Sequence, residues 1–358
     1  MLYYLGQYLQ TIWGPARLLN SYAVLITFAL YLGFFLAYKL IPKFYNWLPH
    51  DRGREFTIKE NADAAKGKPT GAGSVFITLF VLIVFLICPM NWYRSAVVVL
   101  TWLTMLTGFL DDCSTTSWGE YLKGALDLAI SVVTAFVLYF GLKQLSPDGL
   151  VKFWIPFHAG QVVVNPIVYI VITTIMLWAS INTTNCTDGV DGLSSSLVLI
   201  ALITLGILFY FILGHKDISA YLLLPHLSTG AAWGIMAFTM AGLVMGYLWH
   251  NAFPSKCLMG DAGSRALGYF IGVCVMVSGN PFIIFATSSI IFINGGMGLL
   301  KVALLRFFKI KIFENIRFPL HDHMRKNRGW SPTQVLLKFM IMQLLVTSAV
   351  LGIFLKIR

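Results

Sequence analysis

The sequence predicts an all-α integral membrane protein of about ten transmembrane helices. Of its 358 residues, 58% are hydrophobic and 11% charged, whereas a soluble domain is about 25% charged. So few charges cannot cover a globular surface in water. The apolar residues collect in runs close to the ~20 residues a helix needs to cross a bilayer. The 26 Lys and Arg punctuate those runs instead of forming one patch, so the net charge of +11 does not indicate a nucleic-acid partner.

The elements follow in order. MLYYLGQYLQTIWGPARLL lacks the basic start, short apolar core and small-residue cleavage site of a secretory signal. Its aromatics suit the headgroup zone, so it reads as an interfacial amphipathic segment. Spans are expected near 22–42, 73–92, 95–110, 123–143, 165–181, 193–213, 231–249, 265–279, 282–305 and 335–355. The eighth is short. The ninth contains INGGMG (293–298), which predicts either a bend or close helix packing. Between the fourth and fifth spans, LVKFWIPFHAGQVVVNP suits a short hairpin. With no linker, repeat or low-complexity tract, residues 1–358 read as a single membrane domain.

An even number of spans puts both termini on one side. Nineteen of the 26 Lys and Arg fall in segments 39–72, 111–123, 182–192, 250–265 and 301–338, and seven on the other face. The basic excess assigns the first face to the cytoplasm and both termini to the periplasm. The five cysteines show neither metal spacing nor a paired framework, and read as unpaired thiols.

The cytoplasmic segments hold the polar motifs. KGKPTGAG (66–73) is a tight loop whose Lys66 and Lys68 offer charge to an anion, or a plain membrane-proximal basic loop. NTTNCTDGVDG (182–192) carries Asn185, Asp188 and Asp191; HNAFPSKCLMGDAGSRALG (250–268) carries Asn251 and Asp261. Asp188, Asp191 and Asp261 precede spans, where carboxylates cap free N–H groups. Lys123 and Asp127 have the spacing of an ion pair on one helix face. His321 and His323, in FPLHDHMRKNRGW (318–330), face different ways on a helix but can meet on a loop.

Asp111 and Asp112 resist such explanations. They end an apolar helix, where the carbonyl groups already carry partial negative charge, and no basic residue follows until Lys123. Magnesium suits them, because it is commonly held by one or two carboxylates plus substrate phosphates. Acidic residues holding a divalent cation, ringed by basic ones, suggest phosphate chemistry at the membrane surface. Neither a Walker A loop nor a G-x-G-x-x-G turn is present.

The ordered set K-x-x-P-T, D-D, N-x-T-D-G-x-D-G, N-x-F-P…M-G-D-x-G-S and P-L-H-x-H…G-W resembles the phospho-N-acetylmuramoyl-pentapeptide-transferase family, within the polyprenyl-phosphate N-acetylhexosamine-1-phosphate transferase superfamily (glycosyltransferase 4 family). The resemblance runs from about residue 20 to 355. It implies a multi-pass enzyme of the bacterial inner membrane that joins UDP-N-acetylmuramoyl-pentapeptide to undecaprenyl phosphate, giving lipid I and UMP with Mg²⁺, as a possible homodimer among membrane lipid. It further implies Asp261 as magnesium ligand. Asp111 would be base, metal ligand or covalent nucleophile, and Asp112 would support it or share the metal. Asn185, Asp188, Asp191 and Asn251 would line the nucleotide and diphosphate site, Lys66 and Lys123 would offset phosphate charge, and His321 and His323 would meet the amino sugar.

The chain departs from the family pattern at several of these places. The three-histidine motif reads His321-Asp322-His323, Leu258 replaces an aromatic, Asp127 a glutamine, and Asn294-Gly295 stands where a glutamate is usual. A related transferase using UDP-N-acetylglucosamine is the alternative within the superfamily; the P-L-H-x-H…G-W segment favours the muramoyl substrate. A secondary transporter would carry charge near the bilayer midplane, whereas here the acids collect at one surface.

Overall fold

The computed structural model describes residues 1–51, 66–116, 118–158 and 160–356. Arg52, Arg54, Lys59 and Arg358, counted above in the charge asymmetry, lie outside them. Each expected span is helical. A short α1 (Leu2–Leu9) precedes α2 (Tyr22–Leu40), α3 (Gly73–Ile87), α4 (Trp92–Cys113) and α5 (Glu120–Leu145). The expected hairpin follows, β1 (Lys152–Trp154) pairing antiparallel with β2 (Gln161–Val163). Next come α6 (Pro166–Thr187), α7 (Leu193–Ile207), α8 (Lys216–Tyr221), α9 (Gly230–Asn251) and α10 (Gly260–Val277).

Among the described residues, eight helices are long and apolar enough to cross a membrane, two fewer than expected. The exceptions are α3, with 15 residues, and α10, whose first turns carry Asp261 and Arg265. α10 nevertheless lies at the centre. All its residues but Gly260 are buried, against α4, α6, α3 and α7. A charged helix is tolerated at this depth because its neighbours are protein groups and not lipid. α9, also largely buried, packs along α2 where Gly242 and Gly246 admit the backbone of Leu30 and Phe34.

The ninth span is broken. α11 (Ile283–Thr287) and the single turn α12 (Ser289–Ile291) lead into a wide-turned stretch, Phe292–Gly296, before α13 (Met297–Ala303). The close-packing expectation for INGGMG holds, since Gly295 sits against the Thr183 backbone of α6; the helix widens its turn there but continues, and the interruption lies earlier, at Ser288. The His321 segment, for which helix and loop were both open, is helix α14 (Leu320–Arg328); α15 (Pro332–Lys356) ends the described chain. None of the five cysteines, all among the described residues, is in a disulfide.

Candidate active site

The polar motifs meet at one end of the bundle because their loops are tied to one another by backbone bonds. The Pro69 carbonyl accepts from Leu258 N–H at 2.8 Å, and Ala72 and Gly73 N–H donate to the Leu258 and Met259 carbonyls, each at 3.1 Å. This zipper seats Gly73 on the Gly263 backbone, an approach that any side chain would block. Gly108, three residues before Asp111, likewise lies against the Asp261 backbone. Small residues therefore bring the end of α4 onto the start of α10.

The adjacent aspartates have different partners. Asp112 accepts the N–H groups of Asp261 and Ala262, each at 3.1 Å, and so caps the N-terminus of α10. The positive end of one helix thereby offsets the carboxylate that closes another. Gly260, with φ of +68°, makes the turn into α10 and leaves room for the Asp112 carboxylate. Asp111 accepts Trp118 N–H at 2.7 Å through Oδ1, and its Oδ2 lies 2.5 Å from Lys123 Nζ.

Lys123 is the centre of the site. Its ammonium also lies 2.9 Å from Asp261 Oδ2, so one cation is shared by carboxylates from α4 and α10. Asn185 Nδ2, from α6, donates to the other Asp261 oxygen and to Ser264 Oγ, both at 3.0 Å. The intrahelical Lys123–Asp127 pair expected from their spacing is not formed. Asp127 instead meets Arg265 of α10 at 2.5 Å. The cause is geometric: α10 presents an opposite charge to each residue, one turn apart.

A second cluster flanks this one. Asp191 Oδ2 accepts Ser255 N–H at 2.9 Å and lies 3.8 Å from Lys68 Nζ; Lys68 also donates to Ser255 Oγ at 3.0 Å. Of the two lysines in the loop, Lys68 thus reaches the acidic cluster, while Lys66 is exposed. Asn251 is buried with its amide engaged inside the protein. Its Oδ1 accepts Gly192 N–H at 2.9 Å and Ser195 Oγ–H at 3.2 Å, and its Nδ2 donates to the Cys257 carbonyl at 3.0 Å. It braces α7 against the loop before α10. Asp188 closes α6 beside this cluster.

The C-terminal motif joins through His321. Its ring lies on Gly189, where a side chain would collide with Nε2. Asn294 holds it from behind: Oδ1 accepts His321 N–H at 2.8 Å, and the Asn294 amide meets Nδ1 at 3.0 Å. Burial pushes the His321 imidazole down to about 4, against the opposing pull of Asp322. His323 points elsewhere, accepting Arg317 N–H at 3.3 Å.

Among the described residues, no three His, Cys, Asp or Glu side chains form a self-sufficient metal cage. Asp111 and Asp261 nevertheless share a single cation, in the form of Lys123. That donor pair fits magnesium, which takes one or two protein carboxylates and completes its shell with water and phosphate.

A sequence model of glycosyl transferase family 4 matches residues 94–279, from the start of α4 to the end of α10. The chain is 52% identical over 354 residues to the phospho-N-acetylmuramoyl-pentapeptide-transferase of Treponema pallidum, covering 98% of this chain and 95% of that protein. The chain belongs to glycosyl transferase family 4. The enzyme of the same name from Wolinella succinogenes is 30% identical over 328 residues, covering 88% and 90% of the two chains. The family match spans Asp111, Asp112, Lys123, Asn185, Asp188, Asp191, Asn251 and Asp261; Lys66, His321 and His323 lie outside it.

The structure adds residues that reading the family motifs did not single out. Asn182 and Ser264 stood inside quoted motifs without an assigned role, and Lys68, expected only to offer charge to an anion, also holds Asp191 and Ser255. Arg265, the first residue of the expected eighth span, was counted with the basic residues of the preceding segment; the structure instead buries it in α10.

Proposed function

We propose that the chain transfers phospho-N-acetylmuramoyl-pentapeptide from UDP-N-acetylmuramoyl-pentapeptide to undecaprenyl phosphate, giving lipid I and UMP at the cytoplasmic face. The observation that carries it is the convergence of Asp111, Lys123, Asn185 and Asp261 from four helices, in a chain 52% identical over nearly its whole length to an enzyme of that name. An oxygen of the lipid phosphate attacks the β-phosphorus of the nucleotide, and the bond from that phosphorus to the UMP oxygen breaks.

Such transfers are helped chiefly by positioning and charge stabilisation. Asp111 and Asp261 would hold magnesium, which when bound supplies positive charge to the diphosphate and the departing UMP. Lys123, displaced from its two carboxylates, turns to the phosphates. Lys68 holds Asp191 and Ser255 at the nucleotide side, and Lys66 draws the anionic substrate in from the rim. Asp112 fixes the start of α10 and hence the direction of Asp261. Asn185 orients Asp261, Asp188 and Asp191 face the nucleoside, and Asn251 sets the loop that carries them. His321 meets the amino sugar and peptide, and His323, turned toward Arg317, supports the segment that carries it. The lipid phosphate is already anionic near neutral pH, so Asp111 acts more by position than as a base. With ten crossings, both termini lie in the periplasm.

Purified protein given the two substrates and Mg²⁺ is expected to release UMP, with lipid I identified by mass spectrometry. Asp261→Asn is expected to fold and to lose turnover by about 100-fold or more. A folded wild-type protein that yields no lipid I refutes the assignment, and wild-type turnover in Asp261→Asn removes Asp261 from the metal role.

A further inference from the structure

Below the catalytic layer lies a second, buried one. α5 and α10 both start at the site and run the same way, and polar rungs join them. Lys123 meets Asp261, Asp127 meets Arg265 at 2.5 Å, and Thr134 Oγ1 meets Tyr269 Oη at 2.9 Å. The first two rungs keep one offset of 138 residues. Their charges alternate: positive then negative down α5, negative then positive down α10. α6 serves both layers from one face, Asn185 bonding Asp261 and Asn182 bonding Asp127 at 3.4 Å.

Each charge of the upper rung has an opposite charge four residues along its own helix, the spacing at which side chains pair readily. Without Arg265, Asp127 would draw Lys123 down α5. Without Asp127, Arg265 would turn up α10 onto Asp261. Its Nε and Nη1 have no hydrogen-bond partner among the described residues, so it has donors to offer. At 1% and 2% exposure, neither Asp127 nor Arg265 has water as an alternative partner.

We propose that the Asp127–Arg265 pair is a positioning element that keeps Lys123 and Asp261 from pairing within their own helices and so leaves both directed into the substrate cleft. It rests on the phosphoryl-transfer reading of that cleft and identifies what keeps its two central charges available.

The test compares Asp127→Asn, Arg265→Gln and the double variant by turnover, by Mn²⁺ binding to the substrate-free protein in electron paramagnetic resonance, and by thermal unfolding. In Asp127→Asn, Arg265 takes Asp261, and both Mn²⁺ affinity and kcat are expected to fall at least about tenfold, with KM for the nucleotide sugar within about threefold. In Arg265→Gln, Lys123 is lost to Asp127, and kcat is expected to fall about as far. The double variant removes both competitors and is expected to return to within about threefold of wild type on both readouts. Single variants with wild-type kcat and Mn²⁺ affinity overturn the proposal, as does a folded double variant no better than the singles. A lower unfolding temperature with unchanged Mn²⁺ affinity and kcat shows a merely structural pair and also overturns it. Should one single variant fail to fold, the other gives the same test from the opposite helix. If the wild type binds no Mn²⁺, the metal reading falls, and loss and recovery of kcat across the three variants then decide the proposal.

Discussion

Replacing Lys123 with methionine keeps most of the length of the side chain and removes the cation that Asp111 and Asp261 share. Their Oδ2 atoms lie 2.5 and 2.9 Å from one ammonium, so they are at most about 5.4 Å apart. Two unit charges at that separation repel by about 3 kcal/mol at the effective dielectric suited to protein sites. Both carboxylates are nearly inaccessible, at 6% and 5% exposure, so solvent relieves little of this. Breaking a buried pair by removing one partner costs about 3–5 kcal/mol. Because Lys123 itself is 23% exposed, the low end, about 3 kcal/mol, is expected. Magnesium fits the same two carboxylates, so it should restore more stability to Lys123→Met than to the wild type, where it must first displace an ammonium. The assay is thermal unfolding of the detergent-purified protein with and without Mg²⁺, alongside UMP release. The variant should unfold at lower temperature in Mg²⁺-free buffer, recover most of the difference with Mg²⁺, and remain slow in turnover. Wild-type unfolding without Mg²⁺, or an equal Mg²⁺ gain in both proteins, refutes the shared-cation account.

Asp112→Ala abandons two amides at the start of α10 and is expected to cost about 1–3 kcal/mol for each left unsatisfied; Asp112→Asn keeps one acceptor oxygen and should cost about half, so equal losses in unfolding experiments would exclude the capping role. His321 binds its proton less readily folded, at about 4, than unfolded, at about 6.5, so its contribution to stability is complete above about 6.5 and is lost as pH falls toward 4. His321→Asn should flatten that part of the stability profile, by up to about 3 kcal/mol, and an unchanged profile would contradict the burial of a neutral ring. Gly189→Ala drives a methyl group into the His321 ring. It should cost about 1–3 kcal/mol and raise KM for the nucleotide sugar; unaltered KM and unfolding temperature would show that the contact gives way freely.

The amino-acid sequence alone determined the class of molecule, the helical segments, the end of the bundle where function collects and, through its motifs, the family. Those properties are local. Whether a run of twenty residues enters a membrane depends on the summed transfer free energy of its own side chains, and a motif's glycines and carboxylates stand next to one another in the chain. Only the tertiary structure decided which charge answers which. Asp111, Asp112, Asp127 and Asp261 are chemically alike in the sequence, yet one bonds a lysine and a backbone amide, one caps a helix, one is locked to Arg265, and one shares the lysine with the first. The Lys123–Asp127 spacing pointed to a pair within one helix, and a helix 138 residues further on supplied a better partner for each. The choice of Lys68 over Lys66 as the partner of Asp191, Asn251 as a brace, and Gly189 as the seat of His321 were left undecided by the sequence for the same reason. Coulomb energy falls with distance in space and is indifferent to distance along the chain, so the pairing of charges is settled when the helices pack.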